Sequence, residues 1–169
     1  FTGLCDDFGT VTTDASGVAR VSYSLGVVGS FTYYAVFDGE TNYMQVTSSN
    51  ASVSVGKGDL SVVVVDVSGK FNSSVVLNAT VKNQEGDPVS GVLVKFYING
   101  VNVGNGTTNG LGVAYYTYKV VSAGNFDYVA VFDGSADYNG NSSNLAVASF
   151  GKLGTVLNVT NVSGKKGGN

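Results

Sequence analysis

Seven asparagines stand in the frame Asn-x-Ser/Thr with no proline between: Asn50, Asn72, Asn78, Asn105, Asn141, Asn158 and Asn161. Such an amide accepts N-linked sugar when a chain crosses a membrane that carries the transfer machinery. A chain rich in Asn, Ser and Thr also generates the frame by composition alone, so both readings stand. Asn72, Asn105 and Asn141 fall in loops or at strand ends, where a sugar has room. Asn78 falls in mid-strand, opposite the core side, and could carry one only if that face is open. A second group recurs: Phe37-Asp38-Gly39 followed by Tyr43, and Phe132-Asp133-Gly134 followed by Tyr138. Asp38, Asp133 and the nearby Asp137 are oxygen donors of the kind that bind calcium or a sugar. Calcium takes roughly six to eight oxygens, and carboxylates here are sparse. The stronger reading is structural, with the glycine at positive φ and the tyrosine packed back over the end of the domain.

The remaining chemistry is thin. There is no His, the usual general base, proton shuttle and metal ligand. The single cysteine, Cys5, forms no disulfide within the chain and no thiolate zinc site, and it reads as a free thiol. Glu40 and Glu85, the two glutamates, both fall in loops, which argues against a pair of catalytic carboxylates. No catalytic residue, metal ligand or cofactor site is expected, and the chain does not read as an enzyme. A net charge of −3 argues against a nucleic-acid partner, which needs a basic face. No apolar run approaches the ~20 residues of a membrane helix, so no membrane insertion is expected in this segment. Tyr97, Tyr115, Tyr116 and Tyr118 remain as rings that an outer sheet face could present to a sugar or a protein. The competing role is cross-strand pairing that stabilises a half-exposed sheet.

The elements that would position these residues are strands. Charged residues make up only 12% of the 169 and apolar ones 43%, ample for a core and too apolar for disorder. Val, Thr, Tyr and Phe suit a pleated sheet, while Asn and Gly supply turns. Apolar residues alternate with polar ones, and none recurs at helical spacing. The chain reads as all-β.

An internal repeat sets the organisation. Gly17-Val18-Ala19 returns as Gly112-Val113-Ala114, and Ala35 to Gly39 returns as Ala130 to Gly134, an offset of 112 − 17 = 95 in each case. The same offset maps Tyr23 onto Tyr118, Phe31 onto Phe126, Tyr43 onto Tyr138, and Val67-Ser68-Gly69-Lys70 onto Val162-Ser163-Gly164-Lys165. Over Phe1–Lys70 against Phe96–Lys165 roughly one position in three is identical without a gap, as in a tandem array. A repeat of this length is close to the ~100 residues of an immunoglobulin-type sandwich. The expected domains are a partial repeat over 1–56 (strands C to G), a complete repeat over 57–151, and the start of a further repeat over 152–169 (strand A).

About seven strands are expected in the complete repeat: A at 59–67, B at 74–82, C at 91–99, D at 101–107, E at 112–120, F at 125–133 and G at 143–150. Gln84-Glu85-Gly86-Asp87-Pro88 reads as the B–C turn and Asn99-Gly100 as a two-residue hairpin. Period two puts Val75, Leu77, Ala79 and Val81 on the core side of B, Val92, Val94, Phe96 and Ile98 on that of C, and Phe126, Tyr128, Ala130 and Phe132 on that of F. The broken repeats allow two readings. The sequence is a window onto a longer repetitive protein, the reading favoured here, or its last strand completes a neighbouring subunit's open sandwich head to tail.

The run Val76 to Val81, with Gly86-Asp87-Pro88, Val94-Lys95-Phe96-Tyr97, Asn99-Gly100, Gly112-Val113-Ala114, Gly124-Asn125-Phe126 and Phe132-Asp133-Gly134, resembles prokaryotic Ig-like repeats. These occur in adhesin-like surface proteins of methanogenic archaea and in invasin-type bacterial adhesins. The resemblance implies tandem sandwiches in an extracellular, cell-surface structural protein, forming a stalk or a filament. Its partners would be neighbouring repeats or subunits, with a surface glycan or protein as the ligand of an alternative binding module acting through a sandwich face or the F–G loops. It implies no catalytic residues. Some pilus and adhesin sandwiches carry a Lys–Asn crosslink. Here Lys82 or Lys95 with Asn78 or Asn158 would have to supply it, but Lys95 lies off the core side and no glutamate occupies a strand.

Overall fold

The computed structural model of the protein describes residues 7–167. The chain is all-β, with no helix among the described residues, and separates into two compact units, Phe1–Lys57 and Gly58–Asn169. Cys5 lies outside the described residues.

In the first unit β1 (Gly29–Tyr33) pairs antiparallel with β4 (Ala51–Val55), and β2 (Val36–Phe37) pairs antiparallel with β3 (Val46–Thr47). No residue from 7 to 57 is buried, and residues 7–28 carry no strand. The strands D and E expected there are therefore not formed among the described residues, and the expected C falls outside them. In the second unit the corresponding E segment is zipped to the B strand, whereas among residues 7–57 no strand lies beside residues 17–25. A strand without a neighbour leaves its N–H and C=O groups to water.

The second unit contains β5 (Ser61–Val63), β6 (Val67–Lys70), β7 (Ser74–Lys82), β8 (Leu93–Ile98), β9 (Val101–Thr107), β10 (Val113–Lys119), β11 (Gly124–Phe132), β12 (Asn141–Ser142) and β13 (Ala146–Gly151). One sheet has the order β10-β7-β5; the other runs β6-β13-β11-β8-β9, with β12 also on β11. All pairings are antiparallel except that of β6 with β13. Val75, Leu77, Ala79 and Val81 of the first sheet and Val94, Phe96, Ile98, Tyr128, Ala130 and Phe132 of the second are buried in one apolar cluster, joined by Val92 ahead of β8 and by half-buried Phe126. The alternation read from the sequence thus holds on B, C and F. Two sheets contributing to one core are consistent with a β-sandwich.

Two features depart from the seven expected strands. The expected A is divided: β5 pairs with β7, while β6 crosses to the other sheet and runs parallel to β13. Asn144 holds the crossing open, its Oδ1 accepting from the Val64 N–H and its Nδ2 donating to the Val64 carbonyl, both at 3.0 Å. Asp66 Oδ1 then accepts from the Val147 N–H at 2.8 Å. The expected D is β9, and it pairs with β8 as the hairpin read at Asn99-Gly100 requires. The cause is the turn between them: Asn99 (φ 51°) and Gly100 (φ 76°) join Ile98 directly to Val101, a two-residue primed turn that commits the second strand to the first. The expected G is preceded by a separate short strand, β12. Residues 58–167 therefore hold nine strands.

The 95-residue offset reappears in the register. Gly29 faces Val55 as Gly124 faces Phe150, Phe31 faces Val53 as Phe126 faces Ala148, and Val36 faces Thr47 as Val131 faces Ser142. It also reappears in side-chain bonds: the Ala35 N–H donates to Ser48 Oγ and the Ala130 N–H to Ser143 Oγ, each at 3.0 Å. Residues 152–167 carry no strand. Leu157 and Val159 there are 91% and 88% exposed, whereas their counterparts at the offset, Val62 and Val64, are in the core.

Candidate functional site

The Phe-Asp-Gly-x-x-x-Tyr element closes one rim of the second unit. Phe132 ends β11 in the core, and the chain turns through Gly134 at φ +101°. A Cβ there would stand 3.0 Å from the Gly140 nitrogen and 3.2 Å from the Tyr138 oxygen, so the turn requires glycine. The Ser135 N–H donates to the Tyr138 carbonyl at 2.9 Å, and Ser135 Oγ accepts from the Tyr138 N–H at 3.1 Å. Half-buried Tyr138 packs on the core with its ring over Gly58, whose N–H donates to the Asp137 carbonyl and whose carbonyl accepts from the Asn139 N–H, both at 2.9 Å. The loop of the first unit repeats the turn: Gly39 has φ +90° and the Glu40 N–H donates to the Tyr43 carbonyl at 2.8 Å, but Tyr43 is 69% exposed.

The carboxylates of this element do not converge. Asp133 is held at 2.5 Å by Lys95, whose ammonium is pushed above its ordinary value by that hydrogen bond and charge. Asp137 contributes its backbone and leaves its carboxylate at an exposed position. Asp38 sits in the other unit. Among the described residues no three His, Cys, Asp or Glu side chains gather as they would around a metal ion. The nearby hollow, lined by Gly58, Asp59, Asn83, Gln84, Glu85 and Tyr138, has about 130 Å3 and is open to solvent. Asp59 is engaged there, accepting from Asn139 Nδ2 at 2.8 Å and Gln84 Nε2 at 3.3 Å. A wider trough of about 370 Å3 runs along β6 and β13, between Asp66, Ser68, Val147 and Ser149. Neither holds a nucleophile with a base beside it.

The seven sequons fall into different surroundings. Asn50 precedes β4, and Asn158 and Asn161 lie in the strandless segment after β13, all exposed. Asn72 is exposed at φ 65° in the turn before β7, its carbonyl accepting from the Lys119 ammonium. Asn105 is exposed on β9, at the end of its sheet, opposite Lys95. Asn78 is half-buried in the middle strand of the smaller sheet, opposite Tyr115. Asn141 differs: its Nδ2, the atom a sugar would occupy, donates to the Leu60 carbonyl at 2.6 Å, and its Oδ1 accepts from the Ser142 N–H at 2.8 Å.

The tyrosines divide as well. Tyr116 and Tyr118 turn inward, stacked on Phe96 and Phe150 with ring centroids 6.3 Å and 5.9 Å apart. Tyr115 points outward, 52% exposed beside exposed Val76, and Tyr97 is half-buried. Sequence reading missed the Ser48 and Ser143 clamps, although their identity at the offset was a visible signal. It also passed over Asp14 and Asn109. Asp14 Oδ1 accepts from the Ser16 and Val18 N–H groups, and Asn109 Oδ1 from those of Leu111 and Val113, at 2.9 Å and 3.1 Å in both turns. Arg20, which the offset maps onto Tyr115, pairs with Asp14 at 2.6 Å. No family model matches the chain, and no curated protein matches it.

Proposed function

We propose that the protein is a structural extracellular protein, built of tandem Ig-like repeats that form a cell-surface stalk or an extracellular filament. The observation that supports this most is the recurrence of strand register, turn and serine clamp at one 95-residue offset. Repeats of that kind share stability between neighbours and build length rather than an active site. The rim element fits the same reading, since its glycine and tyrosine are spent on closing the turn and its aspartates do not gather. Exposed Asn50, Asn72, Asn105, Asn158 and Asn161 are the sequons we assign to glycosylation on such a surface.

The alternative is an adhesion module that binds a glycan or a protein. Exposed Tyr115 beside Val76 on the outer face of the β10-β7-β5 sheet is the observation in its favour. Screening the purified chain on a glycan array, together with solution scattering, separates the two. The structural reading expects no specific glycan and an elongated particle. A saturable glycan signal lost in Tyr115→Ala would replace it with the binding reading.

A further inference from the structure

We propose that Asn78 carries an N-linked glycan whose first sugar lies across the ring of Tyr115, on the outer face of the β10-β7-β5 sheet. This rests on the reading of a glycosylated extracellular protein and deepens it. Asn78 and Tyr115 stand directly opposite each other in the ladder between β7 and β10. Thr80, which completes the Asn78 sequon, is the diagonal neighbour of Tyr115 in the same ladder. Opposite side chains in such a pair start about 5 Å apart, so a sugar joined to the Asn78 amide comes within reach of the ring. The ring face is electron-rich, and the C–H groups of a sugar pack on it while its hydroxyls stay in water.

The sheet leaves room for the sugar. Asn78 is in the middle strand, yet its other flank is open, because β5 pairs with β7 only as far as Thr80. Asn144 takes both backbone groups of Val64 and draws the chain away before it comes level with Asn78. The Asn78 side chain enters no hydrogen bond among the described residues, whereas Asn141 Nδ2 is spent on the Leu60 carbonyl. Val65, Val76 and Tyr115 are all exposed around it, an apolar patch of the kind that is covered by a ligand. A paired strand is closed to the transfer enzyme, so the sugar is joined before β7 enters its sheet. Asn78 Nδ2 attacks the anomeric carbon of a lipid-phosphate-linked oligosaccharide, the carbon–oxygen bond to the phosphate breaks, and the amide proton leaves with the lipid phosphate. Folding then brings Tyr115 beneath the attached sugar.

The first test is mass spectrometry of the full chain from its natural source. Trypsin releases residues 71–82 as one peptide holding both Asn72 and Asn78, so fragmentation has to place the sugar. A glycan on Asn78 is the expected result. A bare Asn78 beside sugar on Asn50, Asn72 or Asn105 overturns the proposal and leaves the glycosylated surface standing. Bare asparagine at all seven sequons overturns both. The stacking is read separately, on full chain made in a host whose first N-linked sugar is N-acetylglucosamine. Thr80→Val removes the sequon and keeps Asn78, which assigns the signals of that sugar. Its protons should resonate upfield of those of an exposed glycan, stay there in Tyr115→Phe and move back in Tyr115→Ala. Sugar resonances that ignore Tyr115→Ala would mean that the glycan projects into water, and would overturn the contact.

Discussion

The hydroxyl of Tyr128, on β11 of the larger sheet, donates to the backbone carbonyl of Asn78, on β7 of the smaller one, at 2.8 Å. The ring is 1% exposed and stacks on Phe96, so this polar bond lies within the apolar interior. It ties the two sheets where no disulfide does. Burial pushes the Tyr128 hydroxyl well above the ordinary tyrosine value.

Tyr128→Phe should lower the stability of the second unit by about 1–2 kcal/mol, since it leaves the Asn78 carbonyl unpaired in the interior. It should also change the alkaline behaviour. A folded-state value raised above the unfolded one means that the unfolded chain releases the proton first. The contribution is full below about pH 10 and falls as pH rises from there. Denaturant melts at rising alkaline pH should show a steeper loss in the wild type than in Tyr128→Phe. Equal slopes would mean that this hydroxyl ionises as readily folded as unfolded.

Gly112 and Gly17 occupy the same turn in the two units, at φ +71° and +77°, but their surroundings differ. A Cβ on Gly112 would stand 2.5 Å from the Val81 oxygen and 3.0 Å from Pro88, whereas one on Gly17 meets nothing within 4 Å. Gly112→Ala should therefore cost about 2–4 kcal/mol, strain and clash together, and Gly17→Ala about 1 kcal/mol from backbone conformation alone. Thermal melts of both variants, with hydrogen exchange to locate the loss, measure the contrast.

Asn144→Ala should loosen the crossing between β5 and β6. It removes both bonds to the Val64 backbone, one donor and one acceptor, at a cost of about 1–3 kcal/mol. Amide exchange should quicken at Val64 and Val147 before it does at Leu77. Uniform protection would show that the two halves of the strand hold without this side chain.

Arg20→Gln should raise the Asp14 carboxyl toward its ordinary value without restoring it. The Val18 N–H is the largest cause of the lowering, the Arg20 bond the next and the Ser16 N–H the third, and the backbone donors survive the substitution. Carboxyl chemical shifts followed through an acid titration read the midpoint directly. A full return would assign the whole shift to the guanidinium. Asp14 and Arg20 are exposed, so no measurable change in stability is expected.

Much of the second unit is legible in its residues alone. Period-two alternation on B, C and F is a local property, and Val75 to Val81, Val92 to Ile98 and Phe126 to Phe132 lie on the sides it predicts. Asn99-Gly100 is likewise local, because two adjacent residues at positive φ suffice to make the turn. The candidate site is legible only in part. The repeated spacing shows that Gly134 and Tyr138 belong together, but not that Lys95 holds Asp133 or that Asn141 spends its amide on Leu60.

By itself the sequence determined that the chain is β, where its apolar faces lie, and that one pattern returns after 95 residues. These are matters of spacing along one chain, and spacing is what a sequence records. Only the tertiary structure decided which distant strands lie beside each other: that β6 leaves β5 for β13, and that residues 17–25 carry no strand while their counterparts form β10. A strand's partners are chosen by hydrogen-bonding edges distant in sequence. Asn144 and Asp66 direct the crossing only because they meet Val64 and Val147 across 80 and 81 residues of chain.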